Sequence, residues 1–213
     1  MFRIRQVRDA IGVQNQLALA AVLRVYQEAF PDDQNYSTRI ADLVRFSGEQ
    51  DFDVILLVAE GHKNRHLGFA LTLFFPRQRM GYLDYIVSNP KRNARGYGGA
   101  LYEATCEVLV QRKAHGLFMD VPADDPKLLK EKQRLTANKR RLAFYERFGA
   151  RPIVGTAYEE TLRELNRGHG TLLVFDDLDQ DEPLQGQDLR RFVRRLLPVK
   201  GLVSADDPRL RSL

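Results

Sequence analysis

The chain has 213 residues, 44% of them hydrophobic and 29% charged, enough to bury the core of one full domain with a small appendage. Its single cysteine, Cys106, excludes an internal disulfide framework, and no apolar run approaches the ~20 residues of a membrane helix. Thirty-three Lys and Arg against 28 acids leave a net charge of +5, which suits a polyanionic partner such as a phosphorylated cofactor, a nucleic acid or a membrane surface without choosing among them.

Phe2–Val7 alternates as a strand does, and 15–30 carries Leu19, Val22, Leu23 and Tyr26 at helical spacing. Polar residues 14–16 separate Arg3, Arg5 and Arg8 from the apolar run, so this reads as an amphipathic helix rather than a signal peptide, and a cytoplasmic location is expected. Pro31-Asp32-Asp33 breaks the pattern before a shorter helix from Ser37, an N-cap candidate, to Phe46. Extended runs at 53–60, 66–75 and 81–87, joined by polar turns, predict an antiparallel meander. A helix follows over 96–113, then a short buried strand over 117–121. A polar, basic stretch spans 122–137. A second helix is expected from about Asn138 to Phe148, ended by Gly149. Ile153–Val154 and Thr171–Phe175 are the last strands.

After Asp176 the composition shifts. The chain is read as a domain over 1–178, then an acidic linker, a basic helix over 187–197 and a tail within 179–213. The order β-α-α-β-β-β-α-β-α-β-β predicts an α+β fold, a mixed, mostly antiparallel sheet flanked by helices.

The segment richest in chemistry joins the strand Tyr82–Val87 through 88–95 to Gly96-Tyr97-Gly98-Gly99-Ala100. Amides in the first turn of a helix lack internal partners and carry the positive end of its dipole. Glycines let a phosphate reach those amides, and Arg92 and Arg95 can add charge-assisted contacts. A tight turn is the plainer alternative. The P-loop pattern fails because no Gly-Lys-Ser/Thr follows, and the dinucleotide fingerprint fails because Leu101 stands where its third small residue belongs.

Asn93-Ala94-Arg95-Gly96-Tyr97-Gly98 resembles the Arg/Gln-x-x-Gly-x-Gly/Ala signature of the GNAT superfamily of acetyl-CoA-dependent N-acetyltransferases. Asn138, followed by Phe144-Tyr145-Glu146-Arg147-Phe148-Gly149, resembles its second signature. The likeness covers roughly 2–175. Asn93 departs from the usual Arg or Gln, with Arg92 as a substitute, and the stretch over 122–137 is long for the family.

The resemblance implies a diphosphate cradle at Arg92, Asn93, Ala94, Arg95, Gly96, Tyr97, Gly98, Gly99 and Ala100. It implies a pantetheine-binding strand edge at Tyr85, Ile86 and Val87, and a contact from Asn138, which is equally a helix N-cap candidate. Tyr145 would donate a proton to the departing thiolate and contact the cofactor, with an aromatic anchor as its plainer reading. Asp84 and Asp120, acids within apolar strands, are candidate bases or hydrogen-bonded structural carboxylates; His169 is weaker. His62, His66 and His115 lie in polar turns, and no His or Cys spacing suggests a metal.

The expected activity is transfer of acetyl from acetyl-CoA to a primary amine, on a small molecule or a protein, by direct attack in a ternary complex. The alternatives are a non-catalytic acyl-CoA-binding or regulatory domain and, behind it, a nucleic-acid-binding protein, against which the lack of interleaved aromatics weighs. No membrane partner is expected. A homodimer or a fused neighbouring domain stays open.

Overall fold

The computed structural model describes residues 2–31, 34–47, 49–62, 65–89, 96–126, 129–156, 158, 170–180, 182–204, 206–208 and 210, without the side chains of 34–36. The chain divides into two compact units, 1–114 and 115–213.

The first unit holds β1 (Phe2–Val7), α1 (Val13–Ala29), α2 (Gln34–Arg45), β2 (Asp53–Gly61), β3 (Arg65–Phe75), β4 (Met80–Ser88) and α3 (Tyr97–Gln111). β1 to β4 form an antiparallel meander in which Phe2 faces Gly61, Val54 faces Leu73 and Phe75 faces Met80. β2 and β3 are near-continuous apolar runs buried at successive residues, the pattern of strands covered on both faces. α1 and α3 both pack on β3. Gly68 lets β3 and β4 approach: a Cβ there would lie 2.5 Å from the Val87 carbonyl oxygen.

The second unit holds β5 (Gly116–Pro122), α4 (Lys132–Glu146), β6 (Arg151–Ile153), β7 (Thr171–Asp176) and α5 (Gly186–Val199). β7 pairs antiparallel with both β5 and β6. α5 buries Phe192, Val193, Leu196 and Leu197, and the Phe192 ring stacks on Phe118 of β5 at 4.5 Å. The fold is therefore α+β with a mostly antiparallel sheet and flanking helices, as the element order predicts.

Two helix starts differ from expectation. α2 begins at Gln34, so Ser37 lies inside it rather than at its N-cap. α4 begins at Lys132, and Asn138 lies in its second turn, which removes the N-cap reading. From Lys132 to Ala137 the chain contains neither Gly nor Pro and is rich in good helix formers, so the helix extends upstream of Asn138. The sixth strand covers 151–153 rather than 153–154.

Candidate functional site

In the first unit the site begins with an irregularity in β4. Tyr85 faces Leu71 and Leu83 faces Thr72, so Asp84 is an extra residue, a β-bulge. Bulges kink a strand and re-aim side chains, and they recur beside active sites. Asp84, Tyr85 and Ile86 are half-buried and Val87 is buried, the last two pairing with Ala70 and Phe69. The Tyr85 ring sits edge-on to Tyr26 and Phe30 at 5.1 and 5.6 Å, and the Tyr26 hydroxyl donates to the Tyr85 hydroxyl at 3.4 Å. This aromatic cluster ties the bulged strand to the end of α1. Alternation along the sequence shows neither the bulge nor the cluster, because both depend on register.

β4 leads towards α3 through 90–95, so Arg92, Asn93, Ala94 and Arg95 lie outside the described residues. Gly96 is the N-cap of α3, exposed, in the left-handed region at φ 73°, and a Cβ on it would meet no atom within 4 Å. Its carbonyl accepts from the Ala100 amide at 3.1 Å. The amides of Tyr97, Gly98 and Gly99 precede any intrahelical acceptor and offer donors to an anion. The Tyr97 side chain is buried edge-on against Phe2 at 5.1 Å.

In the second unit, Asn138 donates from Nδ2 to the Ala123 carbonyl at 2.8 Å, tying α4 to the end of β5. Tyr145 is buried beside Phe144, with ring centroids 5.0 Å apart. Burial pushes its phenol up to about 12, partly offset by the positive charge of Arg141. It is therefore protonated throughout the neutral range.

Asp120 is engaged on both oxygens. The Tyr158 hydroxyl donates to one at 2.8 Å, and Lys200 forms an ion pair with the other. That arrangement matches the structural carboxylate of the sequence reading, and neither partner is apparent from the residues around Asp120. Of the histidines, His62 is exposed. His66 is half-buried, its pKa lowered by burial against the pull of Glu60 at 4.0 Å. His115 bonds Glu182 at 2.6 Å. His169 lies outside the described residues. Among the described residues no three His, Cys, Asp or Glu side chains gather as metal ligands would, and no helix is long and apolar enough to cross a membrane.

The second unit also contains a cavity of about 420 Å³ where α4 crosses the ends of β5 and β7. Arg134, Asn138 and Arg141 line it at helical offsets of four and three residues, so they share one face of α4, and Tyr145 continues that face.

No protein-family model matches the chain, and comparison with curated protein sequences finds no match. Solved structures do match. A Desulfovibrio desulfuricans protein assigned to the GNAT family of acetyltransferases aligns over 84% of this chain and 99% of its own, with a TM-score of 0.61 and 17% identity. The aminoglycoside 6'-N-acetyltransferase from Enterococcus faecium aligns over 85% of this chain and 99% of its own, at a TM-score of 0.59 and 12% identity. The ribosomal-protein-S18-alanine N-acetyltransferase from Escherichia coli aligns over 86% and 100%, at 0.56 and 16%. These structures share the backbone of most of this chain: the chain has the GNAT fold.

Proposed function

We propose that the protein is an acyl-CoA-dependent N-acyltransferase that moves an acetyl group from acetyl-CoA to a primary amine by direct attack. The observation that carries this reading is the passage from the bulged β4 to the open, left-handed Gly96 at the start of α3. The first-turn amides of α3 have no intrahelical acceptor, and Gly96, Gly98 and Gly99 carry no side chains, which fits a diphosphate. Structural likeness to acetyltransferases supports the same reading.

The thioester supplies an activated acyl carbon and a thiol leaving group. On the protein's side, the α3 amides bind and orient the phosphates, assisted by Arg92 and Arg95, and the β4 backbone at Tyr85–Val87 aligns the pantetheine arm. Asn138, fixed by its bond to Ala123, adds a polar contact. The amine must lose a proton to attack, and the base we favour is Asp84, half-buried at the bulge of β4. As the C–S bond breaks, charge builds on sulfur. Tyr145 donates a hydrogen bond to it; a phenol near 12 holds its proton more tightly than a thiol with a reference value of about 8.5. Its contribution is thus mainly stabilisation of that charge, with the proton shared rather than surrendered.

A non-catalytic acyl-CoA-binding domain is the second reading, and the occupied carboxylate of Asp120 favours it. One experiment separates them. Calorimetry should show acetyl-CoA binding that Gly98→Val abolishes without unfolding the protein, and an amine panel with acetyl-CoA should show thiol release. Binding without turnover supports the second reading; absence of binding at millimolar acetyl-CoA rejects both.

A further inference from the structure

β1 is the first strand in the sheet order, so its outer edge has no strand beside it among the described residues. In an antiparallel pair alternate residues aim their N–H and C=O away from the partner, which leaves β1 a row of unpaired backbone groups. Among the described residues, the backbone of 2–7 bonds to no strand other than β2. β1 also has two unlike faces. Arg3 and Arg5 point to one, where they hold Glu60. Phe2, Ile4 and Gln6 point to the other and, with Leu57 of β2, line a groove of about 450 Å³ alongside α3. Ala100, Ala104 and Val108 form the α3 wall at four-residue spacing, and Glu103 and Glu107 stand on the same wall one turn apart. Both glutamates are exposed, and neither carboxylate has a hydrogen-bond or ion-pair partner among the described residues.

The groove is thus apolar, acidic and bordered by an open strand edge. Two carboxylates repel phosphate, which separates this face from the proposed cradle at the start of the same helix. They also disfavour a second copy of the chain. Paired antiparallel across a twofold axis, that copy would bring only Phe2, Ile4 and Gln6 to the groove face, none of them a cation. It would also set Arg3 and Arg5 against their own copies. We propose that the β1 edge and its groove bind an extended segment of a partner protein, which adds to the sheet as a strand and turns alternating apolar and basic side chains to the groove. An added strand lies about 4.8 Å from β1, so its side chains stand beside Phe2 and Ile4. Apolar ones cover Phe2, which is 38% exposed, and a Lys or Arg stem lies along the apolar floor and carries its charge to Glu103 or Glu107. Residues on the segment's other face meet Arg3 and are acidic or neutral. The site is separate from acyl transfer and does not depend on it.

The test uses the full chain and three end-capped peptides in calorimetry at low salt. The first is Lys-Thr-Val-Thr-Lys-Thr-Val, the second carries Glu in place of both Lys, and the third is the first with every backbone amide N-methylated. Wild type should bind the lysine peptide at least about tenfold more tightly than the glutamate peptide, the scale of two cross-strand pairs turned from attraction to repulsion. The double variant Glu103→Gln with Glu107→Gln should bring the two within about twofold. The double variant Glu103→Lys with Glu107→Lys should reverse the preference, which also shows that the variant is folded. N-methylation should weaken binding at least about tenfold, because the added strand can no longer donate to β1. No binding of the lysine peptide at about 1 mM, equal affinity for both charges, a preference that survives the Gln variant, or full affinity for the methylated peptide each overturns the proposal. So does a wild-type dimer in sedimentation velocity that Ile4→Glu splits, because the edge would then belong to a second copy. Failure to bind acetyl-CoA would sink the acyl-transfer reading and leave this one standing.

Discussion

Burial raises the pKa of both Tyr145 and Glu60, and it prevails in one and is outweighed in the other. For Tyr145 burial prevails and keeps the phenol protonated. Tyr145→Phe retains the ring and its contact with Phe144, so kcat should fall about 10²-fold, the scale of a lost transition-state donor, with acetyl-CoA affinity nearly unchanged. The phenol does not ionise in the neutral range, so steady-state profiles of wild type and variant should run parallel from pH 6 to about 9. A kcat within twofold of wild type would remove Tyr145 from the chemistry. For Glu60 burial raises the pKa, but hydrogen bonds from Arg5 at 3.0 Å and Arg3 at 2.8 Å outweigh it and hold the carboxyl below its ordinary value. A depressed carboxylate stabilises the fold fully above its unfolded pKa, near 4.5, and loses that contribution as pH falls through the folded value. Glu60→Gln should therefore cost about 1–3 kcal/mol at pH 7 and flatten the acid limb of stability, read by urea titration across pH. Most of the loss belongs to Arg5, since Arg3 is 71% exposed. Residue identity alone points to Tyr145 and Asn138 as candidates through the family resemblance. It cannot show that Asp120 meets Lys200, because that partner comes from 80 residues away through tertiary folding.

The meander and α3 were legible in the sequence to within about two residues, because apolar alternation, polar turns and a glycine-rich helix start each leave a local signal. The bulge at Asp84 was not: an extra residue changes pairing with β3 without changing composition. α4 was misplaced at its start for a related reason, since an asparagine suits a cap and a cavity equally and only the upstream helix decides. Close approach between strands is another such hidden constraint, and Gly68 tests it. The atoms a Cβ would meet there, Val87 O at 2.5 Å and Ser88 Cα at 3.1 Å, are backbone and cannot swing aside. Gly68→Ala should destabilise the protein by about 1–3 kcal/mol and should also weaken acetyl-CoA binding, because the displaced residues belong to β4 where the pantetheine arm is proposed to align. A stability loss below about 0.5 kcal/mol, the range of neutral surface changes, would mean that β4 shifts freely.

At the scale of the whole chain, net charge and composition make the basic segment after Asp176 look like an appended helix, since Arg190, Arg191, Arg194 and Arg195 dominate it. Their interleaving with Phe192, Val193, Leu196 and Leu197 makes a strongly two-sided helix, and its apolar side is buried in the second unit. The same segment ends at Lys200, which pairs with Asp120, so an aromatic stack and an ion pair both anchor it to β5. An appendage and an integral element predict different energetics. If α5 is part of the core, Phe192→Ala should cost about 3–5 kcal/mol, the transfer and cavity cost of a fully buried aromatic. Arg190→Gln on the exposed side should cost less than about 0.5 kcal/mol. Urea unfolding followed by far-ultraviolet circular dichroism reads both. A loss below about 1 kcal/mol for Phe192→Ala would mean that β5 and its neighbours keep their packing without α5, and the C-terminal segment would then be an independent appendage to a domain that ends near residue 178.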